Sequence, residues 1–153
     1  MPEKRRPMTR SEMMGNIGPH NTKPEMMVRR GLHKLGYRYR LHNRKMKGKP
    51  DLVFPKFGAV VFVHGCFWHA HQGCRYFQLP KTNAEFWEEK LAGNIERDEK
   101  VIAELLNSGW RVLTIWECMT RSLTAETLAE MTADWLRSDS NSGQIPDDEH
   151  KVD

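Results

Sequence analysis

The chain has 153 residues, 39% hydrophobic and 29% charged, with a formal net charge of +4. That is enough for one domain with a real core, and no apolar run approaches the ~20 residues that a membrane-spanning helix needs. No apolar segment backs the basic N-terminus, so no secretory signal is read and a cytoplasmic protein is expected.

Residues 1–50 carry 14 Lys and Arg against 3 Asp and Glu, whereas residues 51–153 carry 10 against 17. A basic half on an acidic remainder is what a phosphate-backbone binder shows, although a merely solvated basic face would look the same. Cys66, Cys74 and Cys118 are an odd number of cysteines in a chain with no export signal. They argue against structural disulfides and leave metal binding or free thiols.

Residues 1–21 are polar and basic without clear periodicity and read as a mobile arm, with Met8, Met13, Met14 and Ile17 available to order on a partner. Thr22-Lys-Pro-Glu25 has capping-box spacing, Val28, Leu32 and Leu35 recur at helical spacing, and Gly36 supplies a stop. This predicts a helix over 23–35, with Glu25 best explained as part of its cap. Tyr37, Tyr39 and Leu41 alternate with Arg38, Arg40 and His42, which predicts a half-exposed strand with a basic face. After a basic loop over 43–49, Pro50 to Phe54, a Pro-Lys-Phe-Gly turn and the apolar run Ala59–Val63 read as a β-hairpin with Asp51 at its entry.

Further on, Asn83 is expected to cap a long helix to about Leu106, burying Trp87, Leu91, Ile95, Ile102 and Leu105. Trp110–Trp116 reads as a strand, and 124–137 as a last helix with Leu128, Met131 and Trp135 inward. Residues 138–153 are polar and acidic and read as a disordered tail. The order α-β-β-β-α-β-α implies an α/β fold, a mixed central sheet with helices on its faces.

The chemistry concentrates in His64–Cys74, where three histidines, two cysteines and the pair Phe67-Trp68 share eleven residues. Cys66, His71 and Cys74, with Cys118 if its strand lies beside 59–63, make a Cys3His set of the structural-zinc kind. Ordinary buried thiols beside a surface histidine are the bland alternative. Hairpin pairing brings Asp51 and His64 to one end of the sheet. Asp98 falls within the apolar stripe of the long helix, where a buried carboxylate needs a partner, and His69 is the expected one. Individually, Asp51 reads as a turn former and Asp98 as a solvent-edge residue. Jointly, carboxylate, imidazoles and basic surface suggest Mg²⁺-assisted phosphodiester hydrolysis, since Mg²⁺ needs only one or two protein carboxylates and histidine suits a general base.

These residues closely resemble the very short patch repair (Vsr) mismatch endonucleases. The likeness runs from about Thr9 to Trp135 through Thr-Arg-Ser (9–11), Pro-Asp (50–51), His-Gly-Cys-Phe-Trp-His (64–69), Phe-Trp-Glu-Glu-Lys (86–90), Asn-Ile-Glu-Arg-Asp (94–98), Gly-Trp-Arg-Val-Leu (109–113) and Trp-Glu-Cys (116–118). The resemblance implies a restriction-endonuclease-like fold that nicks duplex DNA 5′ to the thymine of a T·G mismatch left by deaminated 5-methylcytosine. It divides the chain into a DNA-binding arm (1–21), an endonuclease domain (22–137) and the acidic tail (138–153).

By the same resemblance, Asp51 and the main-chain carbonyl of Val63 hold Mg²⁺, and His64 and Glu25 serve it through water. His69, oriented by Asp98, activates the attacking water. Cys66, His71, Cys74 and Cys118 match structural zinc ligands; Phe67, Trp68 and Met14 match a wedge beside the mismatch; Lys90 and Asn94 match residues that read the T·G pair. A monomer acting on double-stranded DNA is implied, nucleoid-associated when bound. Whether a MutL-type repair protein is recruited stays open. The rival readings are a zinc-stapled DNA-binding module that cuts nothing, and a zinc hydrolase with His64 and His69 as ligands.

Overall fold

The computed structural model describes residues 22–41 and 45–146. The proposed arm, with Met14, and the tail beyond 146 lie outside them. In chain order the elements are α1 (Lys23–Lys34), β1 (Arg40–Leu41), β2 (Leu52–Phe54), β3 (Ala59–His64), α2 (Ala84–Asn107), β4 (Arg111–Trp116), α3 (Glu117–Ser122), α4 (Ala125–Arg137) and β5 (Ser142–Ile145). The strands form one mixed sheet in the order β1-β2-β3-β4-β5, antiparallel from β1 to β3 and parallel from β3 to β5. The two parallel pairings are joined by helical crossovers, α2 in the first and α3–α4 in the second, as parallel neighbours require.

Period-two alternation sorts the sheet's side chains between two layers of helix. Val53, Val60, Phe62 and Val112 pack with Leu105 and its α2 neighbours Val101, Ile102 and Leu106. Leu52, Phe54, Val61, Leu113 and Ile115 share a cluster with Val28 and Leu32 of α1, Met119 of α3 and Leu128, Ala129 and Leu136 of α4. A strand covered on both faces reads as an unbroken apolar run, which explains Ala59–Val63. Gly31 lets α1 and α4 meet closely, since a side chain there would come within 2.9 Å of Ala125 O and Ala129 Cβ.

The hairpin forms with Asp51 at its entry, turned by a 3-10 segment (Pro55–Phe57) and Gly58 in the left-handed region. Three expectations need correction. Only Arg40–Leu41 of the 37–41 strand pairs with β2. Prolines 50 and 55 flank β2 and remove donors that a longer ladder would need, while Tyr39 OH donates to Arg29 O at 2.9 Å and so ties the segment to α1. Asn83 precedes α2 in a left-handed conformation (φ 58) with no side-chain capping bond. Met131 is 39% exposed rather than inward.

A fourth correction concerns the tail: residues 142–145 are a strand, not disordered. Arg111 supplies the reason. Its guanidinium donates to the carbonyls of Leu136, Trp135, Ser138 and Ser140 at 2.8–3.0 Å and lies over the Trp135 ring, 4.5 Å from its centroid. It satisfies the last carbonyls of α4, where a cation is favoured, and turns the chain back onto β4. Gly143 then fits where a Cβ would sit 2.6 Å from Trp135 Nε1. Arg111→Ala is expected to destabilise the domain by about 2–3 kcal/mol, the range for losing charged hydrogen bonds at a partly buried site. Urea denaturation measures it, and an unchanged midpoint would show that β5 docks without the arginine.

Candidate active site and metal centre

The parallel register sets His64 beside Trp116, so the loops after β3 and β4 leave the same end of the sheet. Cys66 and Cys118, two residues past those positions, come together there and are fully buried. The ligand atoms of Cys66, His71, Cys74 and Cys118 all lie within 4.8 Å of one another. His71 Nδ1 is 3.6 Å from Cys66 Sγ and 3.7 Å from Cys118 Sγ. Tetrahedral zinc with bonds of ~2.3 Å to sulfur and ~2.0–2.1 Å to nitrogen separates such atoms by about 3.6 Å, so the donors fit that ion.

Without an ion the pocket favours thiols. Hydrogen bonding to Cys118 and then burial push Cys66 up, and burial pushes Cys74 up. A cation would reverse that balance, as coordinated sulfur is thiolate. The loop is further held by His71 stacked on Trp116 at 4.0 Å and by Cys118 N donating to Cys66 Sγ at 3.3 Å.

Asp51, His64, His69 and Asp98 line one cavity of about 260 Å³. Asp51 Oδ2 accepts from Val63 N at 2.7 Å across the hairpin, which holds the carboxyl against the end of β3. Its pKa is pushed up to about 8, mainly by burial and further by the charge and hydrogen bond of Glu25, against the lowering bond from Val63. Glu25 therefore does more than cap α1. Its N–H does donate to Thr22 Oγ1 at 3.3 Å, but its carboxyl is 1% exposed, beside Asp51 and 3.3 Å from Arg29 Nη1. Two buried carboxyls sharing one site make it receptive to a cation.

His64 and His69 stack with rings 3.7 Å apart and only 4° from parallel. Burial, reinforced by the charge His69 can carry, holds His64 well below the usual imidazole range, hence neutral. His69 Nδ1 donates to Asp98 Oδ2 at 2.5 Å. That bond fixes the tautomer whose Nε2 carries a lone pair. The structure thus brings together the carboxylate of α2 and the imidazole of the Cys/His loop that the sequence pairs only by inference.

Phe67 and Trp68 leave the same loop and meet Trp87 of α2 at 5.4 and 5.9 Å, with Phe86, 56% exposed, extending the group. Sequence reasoning assigns Trp87 to the core stripe and misses this packing. The available signal is that Trp87 shares a helix face with Lys90 and Asn94, three and seven residues on. Asn94 Nδ2 donates to Trp68 O at 2.9 Å and so braces the aromatic turn, while Lys90 is exposed on α2.

The family model for the DNA mismatch endonuclease Vsr matches residues 3–75. The chain is 40% identical over 140 residues to the DNA mismatch endonuclease Vsr of Escherichia coli, covering 90% of this chain and 89% of that protein. It is 45% identical over 125 residues to the type II nicking enzyme V.XorIIP of Xanthomonas oryzae pv. oryzae (82% of this chain, 91% of the relative). It is 46% identical over 109 residues to the type II nicking enzyme V.NmeAIP of Neisseria meningitidis serogroup A (71% and 77%). With relatives matched across most of both chains, and with Asp51, His64 and three of the four clustered Cys and His inside the matched family segment, the chain belongs to the DNA mismatch endonuclease Vsr family.

Proposed function

We propose that this chain is a DNA endonuclease that nicks one strand of duplex DNA 5′ to the thymine of a T·G mismatch, on a restriction-endonuclease-like framework and as a monomer. The observation that carries the chemistry is the His69–Asp98 bond facing Asp51 across one cavity. His69, held in the tautomer that leaves Nε2 free, takes a proton from water as its oxygen bonds to phosphorus and the P–O bond to the preceding nucleotide breaks, the departing 3′-oxygen gaining a proton from solvent. Asp98 stabilises the imidazolium that forms. Neutral His64, stacked on His69, adds no charge that would oppose it.

Asp51, the main-chain carbonyl of Val63 and, through water, Glu25 and His64 would hold Mg²⁺, which when bound polarises the phosphate and offsets its charge. Cys66, His71, Cys74 and Cys118 would hold Zn²⁺ in a closed, structural shell. Phe67 and Trp68, with Trp87 packed against them, would act as an aromatic wedge, and Lys90 and Asn94 would read the mismatched pair. A mismatch weakens stacking, so opening the duplex there costs less than at a paired step.

A nicking gel with end-labelled T·G and T·A duplexes, in Mg²⁺ and in EDTA, tests the reading. Cutting confined to T·G duplex with Mg²⁺ is expected; mismatch binding without cutting would leave a zinc-stapled DNA-binding module. Trp68→Ala should weaken T·G binding roughly tenfold or more, since base–aromatic stacking contributes ~1–3 kcal/mol per base. Matched duplex should lose much less. Equal weakening in a filter-binding comparison would remove the wedge.

A further inference from the structure

The cavity holding Asp51, His64, His69 and Asp98 is also lined by Lys49 and Arg97, whose charges the reaction above leaves unused. Lys49 lies in the turn just before Pro50-Asp51, and Arg97 adjoins Asp98 on α2. Both are exposed, and among the described residues neither side chain has an ion-pair or hydrogen-bond partner. The remaining polar groups lining the cavity are carboxyls, imidazoles and backbone, and β3, Ala59–His64, contributes no cation. A phosphodiester entering it would meet these carboxyls, whose like charge a Mg²⁺ held at Asp51 would offset in part and which these two residues can answer directly.

The backbone holds Lys49 there at a cost. Gly48 and Lys49 are consecutive left-handed residues, φ 71 and 48, and Lys49 N donates to Met46 O at 3.1 Å. Gly48 is pressed onto α2 so closely that a Cβ would fall 2.2 Å from Val101 Cγ1. Val101 lies one helical turn from Arg97, so the turn carrying Lys49 is pinned beside the helix carrying Arg97. Glycine or asparagine would occupy the Lys49 position with less strain. A strained residue kept at a reactive cavity points to use of its side chain.

We infer that Lys49 and Arg97 form a two-point phosphate clamp, one from each wall of the cavity, gripping the phosphodiester to be cut and its neighbour on the same strand. The clamp rests on the nuclease reading above. Glycine is the informative substitution at position 49, because it removes the amine while suiting the backbone.

The test uses zinc-loaded full-length protein and T·G duplex, with Lys49→Gly, Lys49→Arg and Arg97→Ala compared in single-turnover nicking and in the salt dependence of binding. Lys49→Gly and Arg97→Ala should each nick at least tenfold more slowly. Each should also flatten the slope of log affinity against log salt by about 0.9, the change expected when one phosphate is no longer neutralised. Lys49→Gly should melt no lower than the parent, and Lys49→Arg should keep most of the rate and the slope. Unchanged rate and slope in both variants would overturn the clamp, as would a Lys49→Gly defect that tracks a lower Tm and is not rescued by arginine. Failure of the parent protein to nick T·G duplex with Mg²⁺ would instead overturn the nuclease reading beneath it.

Discussion

Asp51→Ala is expected to lower the single-turnover nicking rate by at least roughly a thousandfold, about 4 kcal/mol of transition-state stabilisation, while affinity for T·G duplex changes only a few-fold. The carboxyl is buried beside Glu25, and the cavity it lines includes none of Phe67, Trp68 and Trp87, the aromatic group that would carry mismatch binding. It also accepts from Val63 N, so alanine leaves a buried donor without its bond. Asp51→Asn keeps an acceptor there and separates that structural loss from the loss of charge. If Asn restores nicking, the residue is structural and the proposed Mg²⁺ site is wrong.

The same residue gives a pH signature in protein free of Mg²⁺. A carboxyl raised from 3.8 to about 8 is favoured protonated in the fold. Its contribution is therefore fully present below pH 4, declines as pH rises above that, and is lost once pH passes about 8. Thermal melts of zinc-loaded protein without Mg²⁺ or chelator should show a downward slope over that window that Asp51→Asn removes. Added Mg²⁺ should flatten it by favouring the ionised form. A slope identical in wild type and Asp51→Asn would assign it to other groups.

Stripping zinc is expected to have the largest effect on the whole molecule. Segment 65–83 contains no helix or strand, and its order depends on four buried donors around one point. Structural zinc in small domains contributes on the order of 10 kcal/mol, against a total of about 5–15 kcal/mol for a typical domain. Losing even half of that corresponds to a Tm drop of roughly 10–20 °C in a chain of this size. Because the loop carries His69, Phe67 and Trp68, mismatch binding and nicking should fail together, unlike in Asp51→Ala. Cys118→Ser should behave likewise although it lies far along the chain. Zinc, and not magnesium, should restore the stripped protein. Full activity with metal analysis showing no zinc would end the structural role.

Much is legible in the chain alone, for identifiable reasons. The apolar run 59–63, the 3.6-residue stripes of α1, α2 and α4, and the turn at Pro55–Gly58 are local patterns, and local physics sets them. The short Cys/His spacing likewise announces a ligand loop before any fold is known. Glu25 and the 138–146 segment escape such a reading because their meaning is non-local. A Thr-x-x-Glu spacing looks complete as a cap, and only the hairpin's approach to α1 puts Asp51 beside the carboxyl. A polar tail looks disordered until Arg111 gathers the carbonyls that fold it back.

By itself the sequence determined most of the element types, the family, and which residues are candidates for the chemistry, because residue type and spacing encode these directly. The tertiary structure decided their company: Cys118 with Cys66 through the parallel β3–β4 register, His69 with Asp98 across the loop–helix gap, Trp87 with Trp68, and Lys49 opposite Arg97. Each of these pairs spans more than eighteen residues of chain, and no periodic pattern reaches that far. Such pairings exist only once sheet register and helix packing have closed the intervening chain.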